Sequence, residues 1–252
     1  MHLRTHSRLA LAAVLVLLAE AGHQVGAGAI LSARQASSET SSPAADLLAR
    51  ARVSRGTRAA WSRIHTLTVE ETRKWIESPD PPGSSDTLIF RPPDDFRWVN
   101  GSVIHTIIGE KYTQNHDNPA AILQMARRNV FKTFVITELV YLLTWPKAFP
   151  LRVDVAQPGA FNGTAVDVLT FSGPDGFKMD LSLERATGLP VAFSTPGRAG
   201  SLADYREVEG VRFPFKSEGY TSGSGTRTFP VLDTVSRLIV NSPPRFPGTD
   251  AQ

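Results

Sequence analysis

The chain has 252 residues, no cysteine and a formal net charge of +3. Without cysteine there can be no disulfide framework, so stability has to come from a buried core. The near balance of charge argues against nucleic acid as a partner, and no Lys/Arg run is long enough to make a polybasic membrane patch.

The first stretch, MHLRTHSRLALAAVLVLLAEAG, has the layout of a secretory signal. Arg4 and Arg8 precede an apolar run from Leu9 to Ala19, and Ala27-Gly28-Ala29 offers small residues for cleavage. The run is shorter than the roughly 20 residues a bilayer span needs. Residues 1–29 are therefore expected to be a signal peptide, and the mature chain to be periplasmic or secreted and soluble. No cysteine follows the apolar run, so export without lipid attachment is expected. The Ser-rich residues 30–45 read as a flexible leader. Residues 46–243 are expected to form a single domain, and the Pro-rich residues 244–252 a disordered tail.

Within that domain, AADLLARARVSRGTRAAWSRI places Leu47, Leu48, Ala51, Ala59, Ala60 and Ile64 roughly on one helical face, with Gly56 weakening the middle. After Ile64 the period changes. HTLTVEETRKWIE alternates, with Leu67, Val69 and Trp75 on one face and Thr66, Thr68, Glu70, Thr72 and Lys74 on the other. SPDPPGSSD is a loop by composition. TLIF and FRWV follow as short strands around Arg91-Pro-Pro-Asp-Asp95, Asn100-Gly101 is a strong hairpin signal, and SVIHTII and EKYTQN flank Gly109.

The pattern breaks over Asn118 to Trp145. This segment has its only Pro at the second position, and Ile122, Leu123, Met125, Ala126, Val130, Phe134, Leu139 and Leu142 recur at steps of three and four. It predicts one long helix capped by Asn118, or two in succession broken near Asn129. The β-branched and aromatic content of FKTFVITELVYLL would also suit a strand. Strands then resume to Asn241. In FKMDLSLE, Phe177, Met179, Leu181 and Leu183 face one way and Lys178, Asp180, Ser182 and Glu184 the other, which antiparallel sheets allow and parallel sheets rarely do. In LPVAF, alternation puts Leu189, Val191 and Phe193 together. Turn residues recur at Asn162-Gly163, Gly173 to Gly176, Thr187-Gly188, Gly197 to Gly200, Glu209-Gly210 and Ser222 to Gly225, leaving no room for crossover helices.

Motifs for chemistry are sparse. His65, His105 and His116 show no metal-pair spacing, and no nucleophile elbow, Walker loop or dinucleotide fingerprint is present. Glu70 and Glu71 are strand neighbours that point to opposite faces, so they cannot act as a carboxylate dyad on each other. Asp94-Asp95 reads as a turn. The chain is therefore read as non-enzymatic, without cofactor or metal; a hydrolase would need His105 or His116 to meet a carboxylate in a polar cleft. More informative is the set Trp75, Phe90, Trp98, Phe177, Met179 and Phe193, all on strands with polar alternate faces. Singly each suits a core. As a set they suggest that part of the sheet's inner face lines an apolar cavity.

The C-terminal half carries a resemblance. Glu184, then Thr187-Gly188-Leu189-Pro190, then Tyr205, Val208, Gly210-Val211 and Phe213-Pro214, closing on Asn241, follow the order of turn motifs in bacterial periplasmic proteins of the LolA/LolB-like, lipoprotein-sorting-like superfamily. FRPPDDFRW resembles an earlier hairpin of that pattern. The resemblance spans about residues 46 to 246. It implies a mainly β fold with α: a strongly curved, antiparallel, incomplete β-barrel covered by N-terminal and mid-chain helices. It further implies a lipid or lipoprotein acyl chain as ligand, or another envelope protein as partner.

Overall fold

Antiparallel pairing organises the chain in the computed structural model, which describes residues 42–76, 83–155, 158–222 and 228–242. The expected signal, most of the leader, the Ser222–Gly225 turn and the tail fall wholly or largely outside the described residues. The N-terminal helical segment is two helices, α1 (Pro43–Arg55) and α2 (Arg58–Ser62). Ser42 and Thr57 accept from the backbone N–H of Ala45 and Ala60 and so cap their starts. The helix expected to run on through Gly56 stops there, because Gly56 makes a β-bridge to Val211.

Thirteen strands follow among the described residues. The first five are β1 (Leu67–Trp75), β2 (Ser84–Arg91), β3 (Asp95–Asn100), β4 (Val103–Ile108) and β5 (Lys111–Gln114), which form one meander. Helix α3 (Ala120–Tyr141) then crosses to the second arm. That arm holds β6 (Arg152–Val155), β7 (Gly159–Phe161), β8 (Thr164–Ser172), β9 (Lys178–Glu184), β10 (Pro190–Thr195), β11 (Arg198–Val208), β12 (Val211–Ser222) and β13 (Thr228–Val240). The order is β5-β4-β3-β2-β1-β13-β12-β11-β10-β9-β8-β6, with β7 also on β8, so the sheet stays open. First and last strands join the two arms over a long register from Leu67↔Val240 to Trp75↔Val231.

The sheet curves around α3. Phe134 stacks on Phe96 at 4.7 Å and lies 6.3 Å from Phe90 in the first arm. Just past the helix, Trp145 meets Phe171 and Phe149 meets Phe177 in the second. Both arms and the helix share one apolar core. The fold is thus an unclosed, curved antiparallel barrel with helices, as the resemblance implied.

Several local expectations are corrected. Helix α3 is single, and it runs through Asn129 without a break; Asn118 makes no cap bond to it. The strand alternative for FKTFVITELVYLL does not form; from Val130 onward most of this segment is buried, a setting in which packing overrides β propensity. Ile122 and Met125, periodic with the core, are exposed, since the first three turns of α3 face solvent. A bulge between Pro190 and Ala192 puts Pro190 opposite Leu183 and Phe193 opposite Leu181, so Val191 does not share the face of Phe193.

Close approach of backbones is concentrated at Gly219. A Cβ there would lie 1.9 Å from the Ala199 carbonyl oxygen. Gly219→Ala is expected to push β12 from β11 and cost roughly 1–3 kcal/mol, read as a lower urea midpoint. An unchanged midpoint would show that the pair has room to relax.

Candidate functional site

Strand alternation continues the inward row of β1 from Leu67 and Val69 to Glu71 and Arg73. On β13 the inward row Val231, Asp233, Val235 likewise puts an acid between two valines. These positions face the inner side of the half-barrel beside α3. Arg73 Nε donates to Asp233 Oδ1 at 2.7 Å and its Nη2 to Oδ2 at 3.3 Å. Arg198, at the start of β11, donates from Nη2 to Asp233 Oδ2 at 2.8 Å and stacks over the Phe193 ring. Asp86 accepts from Trp98 Nε1 at 3.2 Å and from the Asn100 amide. The Tyr141 hydroxyl at the end of α3 donates to Glu71 Oε2 at 3.3 Å.

Burial pushes the Glu71 carboxyl up to about 7; Asp233 and Asp86 add to the rise, and Arg198 and Arg73 oppose it. Burial also raises the Tyr141 hydroxyl, with Glu71 adding to the effect. A second carboxyl, Glu138 on α3, is fully buried, and burial pushes it up to about 8. Its Oε1 accepts from Thr144 Oγ1 at 2.8 Å, whereas Oε2 has no hydrogen-bond partner.

Beside this cluster a cavity of about 420 Å³ separates α3 from the strands. Its apolar lining is Leu88, Trp98, Ile136 and Phe177; its charged lining is Glu71, Arg73, Asp86, Arg198, Lys132 and Lys178. Of the six aromatic and sulfur side chains singled out from the sequence, Trp98 and Phe177 line it. Phe193 lines an adjoining recess with Glu71, Arg198 and Asp233. Phe90 and Met179 lie in the core, and Trp75 packs edge-on against Phe229 at the end of β1. Sequence reading missed Glu71, Arg73, Arg198 and Asp233. The signal for two of them was present: Glu71 and Arg73 sit at even spacing from Val69.

His105 sits away from any carboxylate hydrogen bond. It lies between Trp98 and Tyr112 in a stacked row, with its Nδ1 2.9 Å from the Tyr112 hydroxyl, and burial holds it below its ordinary value. No cluster of metal-ligating side chains occurs among the described residues, and none of their helices is long and apolar enough to cross a membrane.

The motif residues act as ties. The Tyr205 hydroxyl donates to the Pro190 carbonyl at 2.7 Å. Asn241 Oδ1 accepts from the His65 N–H and its Nδ2 donates to the Arg63 carbonyl, which pins the end of β13 to the start of β1. Thr187 bridges Glu184 and the Leu189 N–H. At this corner Gly188 (φ +77°) passes under Arg50 of α1, which pairs with Asp167 at 2.7 Å.

The sequence matches no protein-family model and no curated protein. By structure the chain is similar to a LolA superfamily protein from Nitrosomonas europaea, with a TM-score of 0.45, 9% identity, and 81% of this chain and 96% of that chain covered. It is also similar to a domain described as outer-membrane lipoprotein-sorting from Vibrio parahaemolyticus, with a TM-score of 0.47, 12% identity and coverage of 79% and 94%. A third likeness is to the MucA/MucB complex of Pseudomonas aeruginosa, with a TM-score of 0.29, 15% identity and coverage of 81% of this chain and 59% of that one.

Proposed function

We propose that the protein is a non-enzymatic, periplasmic binding protein that holds a lipid or lipoprotein acyl chain between α3 and the concave face of the half-barrel. The observation that carries this reading is the cavity of about 420 Å³, which falls within the range of small-molecule sites and has one apolar wall. Trp98 and Phe177 touch the chain in this reading, Phe193 borders it, and Phe90, Met179 and Trp75 act as packing behind and beside the wall. Each methylene buried there contributes about 0.8 kcal/mol. A longer chain would have to displace the aromatic plug that Phe134 makes against Phe90 and Phe96.

The test is titration of the purified chain with the neutral hydrophobic dye N-phenyl-1-naphthylamine. Ile136 lies on the cavity wall, so Ile136→Trp fills the space. Saturable fluorescence enhancement is expected, at least tenfold weaker in Ile136→Trp. If the dye fails to saturate, or binds the filled variant equally well while its melting is unchanged, the reading fails.

A second reading, docking of another envelope protein, draws on Ile122 (45% exposed) and Met125 (53% exposed) on the outer turns of α3. The double change Ile122→Ser/Met125→Ser would remove such docking and leave dye binding intact.

A further inference from the structure

We infer that the cavity selects amphiphiles with an acidic head, a carboxylate or a phosphate, held at the paired guanidiniums of Arg73 and Arg198. This inference deepens the proposed ligand-binding role and rests on it.

The two arginines come from strands that are not neighbours. Arg73 is on β1 and pairs across to Asp233 on β13; Arg198 is on β11 and must reach past β12. The inward position of β12 on that path is Gly219, opposite Val231 on one side and Gly200 on the other. Gly200 and Gly219 lie side by side there, with Phe193 and Ser217 packed over Gly200, and the Arg198 guanidinium still reaches Asp233 from two strands away. The result is two guanidiniums on one carboxylate. Each guanidinium carries five N–H donors, and Asp233 takes two from Arg73 and one from Arg198. The remaining donors and one uncancelled positive charge belong to groups that line the cavity.

Other charges around the space sharpen the imbalance. Lys132 of α3 and the exposed Lys178 of β9 also border it, the Lys132 amine 3.5 Å from the Asp175 carbonyl. Against them are Glu71 and Asp86. Asp86 is occupied by Trp98 and Asn100, and Glu71 is held toward its neutral form by burial. Cations therefore outnumber anions around a space whose apolar lining is Leu88, Trp98, Ile136 and Phe177. A neutral or cationic head would leave the arginine donors without an acceptor in a partly dehydrated site, which is costly. An oxyanion matches the planar fork of a guanidinium and satisfies it.

The experiment compares ligands of equal tail length: palmitate against hexadecanol, and dodecyl phosphate against dodecanol, each displacing N-phenyl-1-naphthylamine from the intact chain. At least one acid should bind at least tenfold more tightly than its alcohol, and the larger ratio identifies the head group as carboxylate or phosphate. Arg198→Met should reduce that ratio to about twofold or less with the alcohol unaffected. Lys132→Met/Lys178→Met, a change at the half-exposed wall that leaves the buried Asp233 contacts intact, should reduce it severalfold. Equal binding of acid and alcohol overturns the inference and leaves the ligand-binding role standing, as does a ratio that survives both variants. Failure of every amphiphile and of the dye overturns both.

Discussion

Replacing Arg55 by methionine is expected to lower the stability of the fold by roughly 3–5 kcal/mol, the cost of leaving several carbonyl groups inside the fold without a donor. Arg55 ends α1 and is 1% exposed. Its Nη1 and Nη2 donate to the carbonyls of Val140 and Tyr141, at 2.8 and 2.6 Å, and its Nε to the Arg212 carbonyl at 2.7 Å. Those first two acceptors belong to the last turn of α3, where helix carbonyls have no partner within the helix and the macrodipole is negative. Arg52 adds a fourth bond, from Nη2 to the Leu143 carbonyl at 2.6 Å. The guanidinium also lies 5.3 Å from the rings of both Trp61 and Phe213. One side chain thereby ties α1, α3 and β12 together. Burial lowers its pKa to about 10, and it remains charged at neutral pH.

Methionine fills the space but offers no donor, so two buried carbonyls and one half-buried carbonyl are stranded, at about 1–3 kcal/mol for each buried one before water relaxes the cost. Lysine supplies one compact charge that cannot reach carbonyls on two elements at once, so Arg55→Lys should recover less than half. Urea unfolding measures both, with an unchanged slope marking a true stability effect. A loss below about 1 kcal/mol in the methionine variant would show that α3 is held by its apolar contacts alone.

Arg55 also marks where sequence reading reached its limit. The hairpins were legible because their signals are local: Asn100-Gly101, Asn162-Gly163 and Glu209-Gly210 need left-handed backbone, and the alternation of Phe177 to Leu183 reports one buried face. The open barrel was legible through the resemblance, whose residues prove to be ties such as Asn241 and Tyr205. The cavity was not legible in the same way. Arg55, Arg198 and Asp233 acquire their roles only when residues more than thirty apart in sequence meet, and each reads as a surface charge when its strand or helix is taken alone. Glu71 was the exception, because an acid in phase with Leu67 and Val69 is a buried acid by periodicity. Of the aromatic set, Trp98 and Phe177 border the cavity, while a helix with Phe131 and Phe134 packs into the shared core, and what stays open is the charged end.

Those same buried acids give the fold an unusual pH dependence. Glu71 and Glu138 keep their protons to about pH 7 and about pH 8 in the folded chain, against 4.5 for an ordinary glutamate, chiefly because burial disfavours the carboxylate. Between the ordinary value and the raised one, the unfolded chain has released a proton that the folded chain retains. Stability is therefore complete below about pH 4.5 and falls as pH rises, at about 1.4 kcal/mol per pH unit for each such group, until the folded carboxyl itself ionises. His105 works the other way, since burial depresses its pKa and favours the fold as pH rises through the imidazole range. Asp167, held down by Arg50, acts only in more acidic solution. The difference between parent and Glu138→Gln isolates one proton from these. Glutamine keeps the shape and a Thr144 partner without titrating, so its unfolding free energy should fall less steeply from about pH 5 to about pH 8, by roughly 3–5 kcal/mol over the range. Because Glu138 and Tyr141 share the last turns of α3, the alkaline loss should appear first as looser packing of that helix, read as increased dye binding near pH 8 in the parent and not in Glu138→Gln. Parallel stability curves for the two proteins would show that Glu138 is already ionised in the folded state.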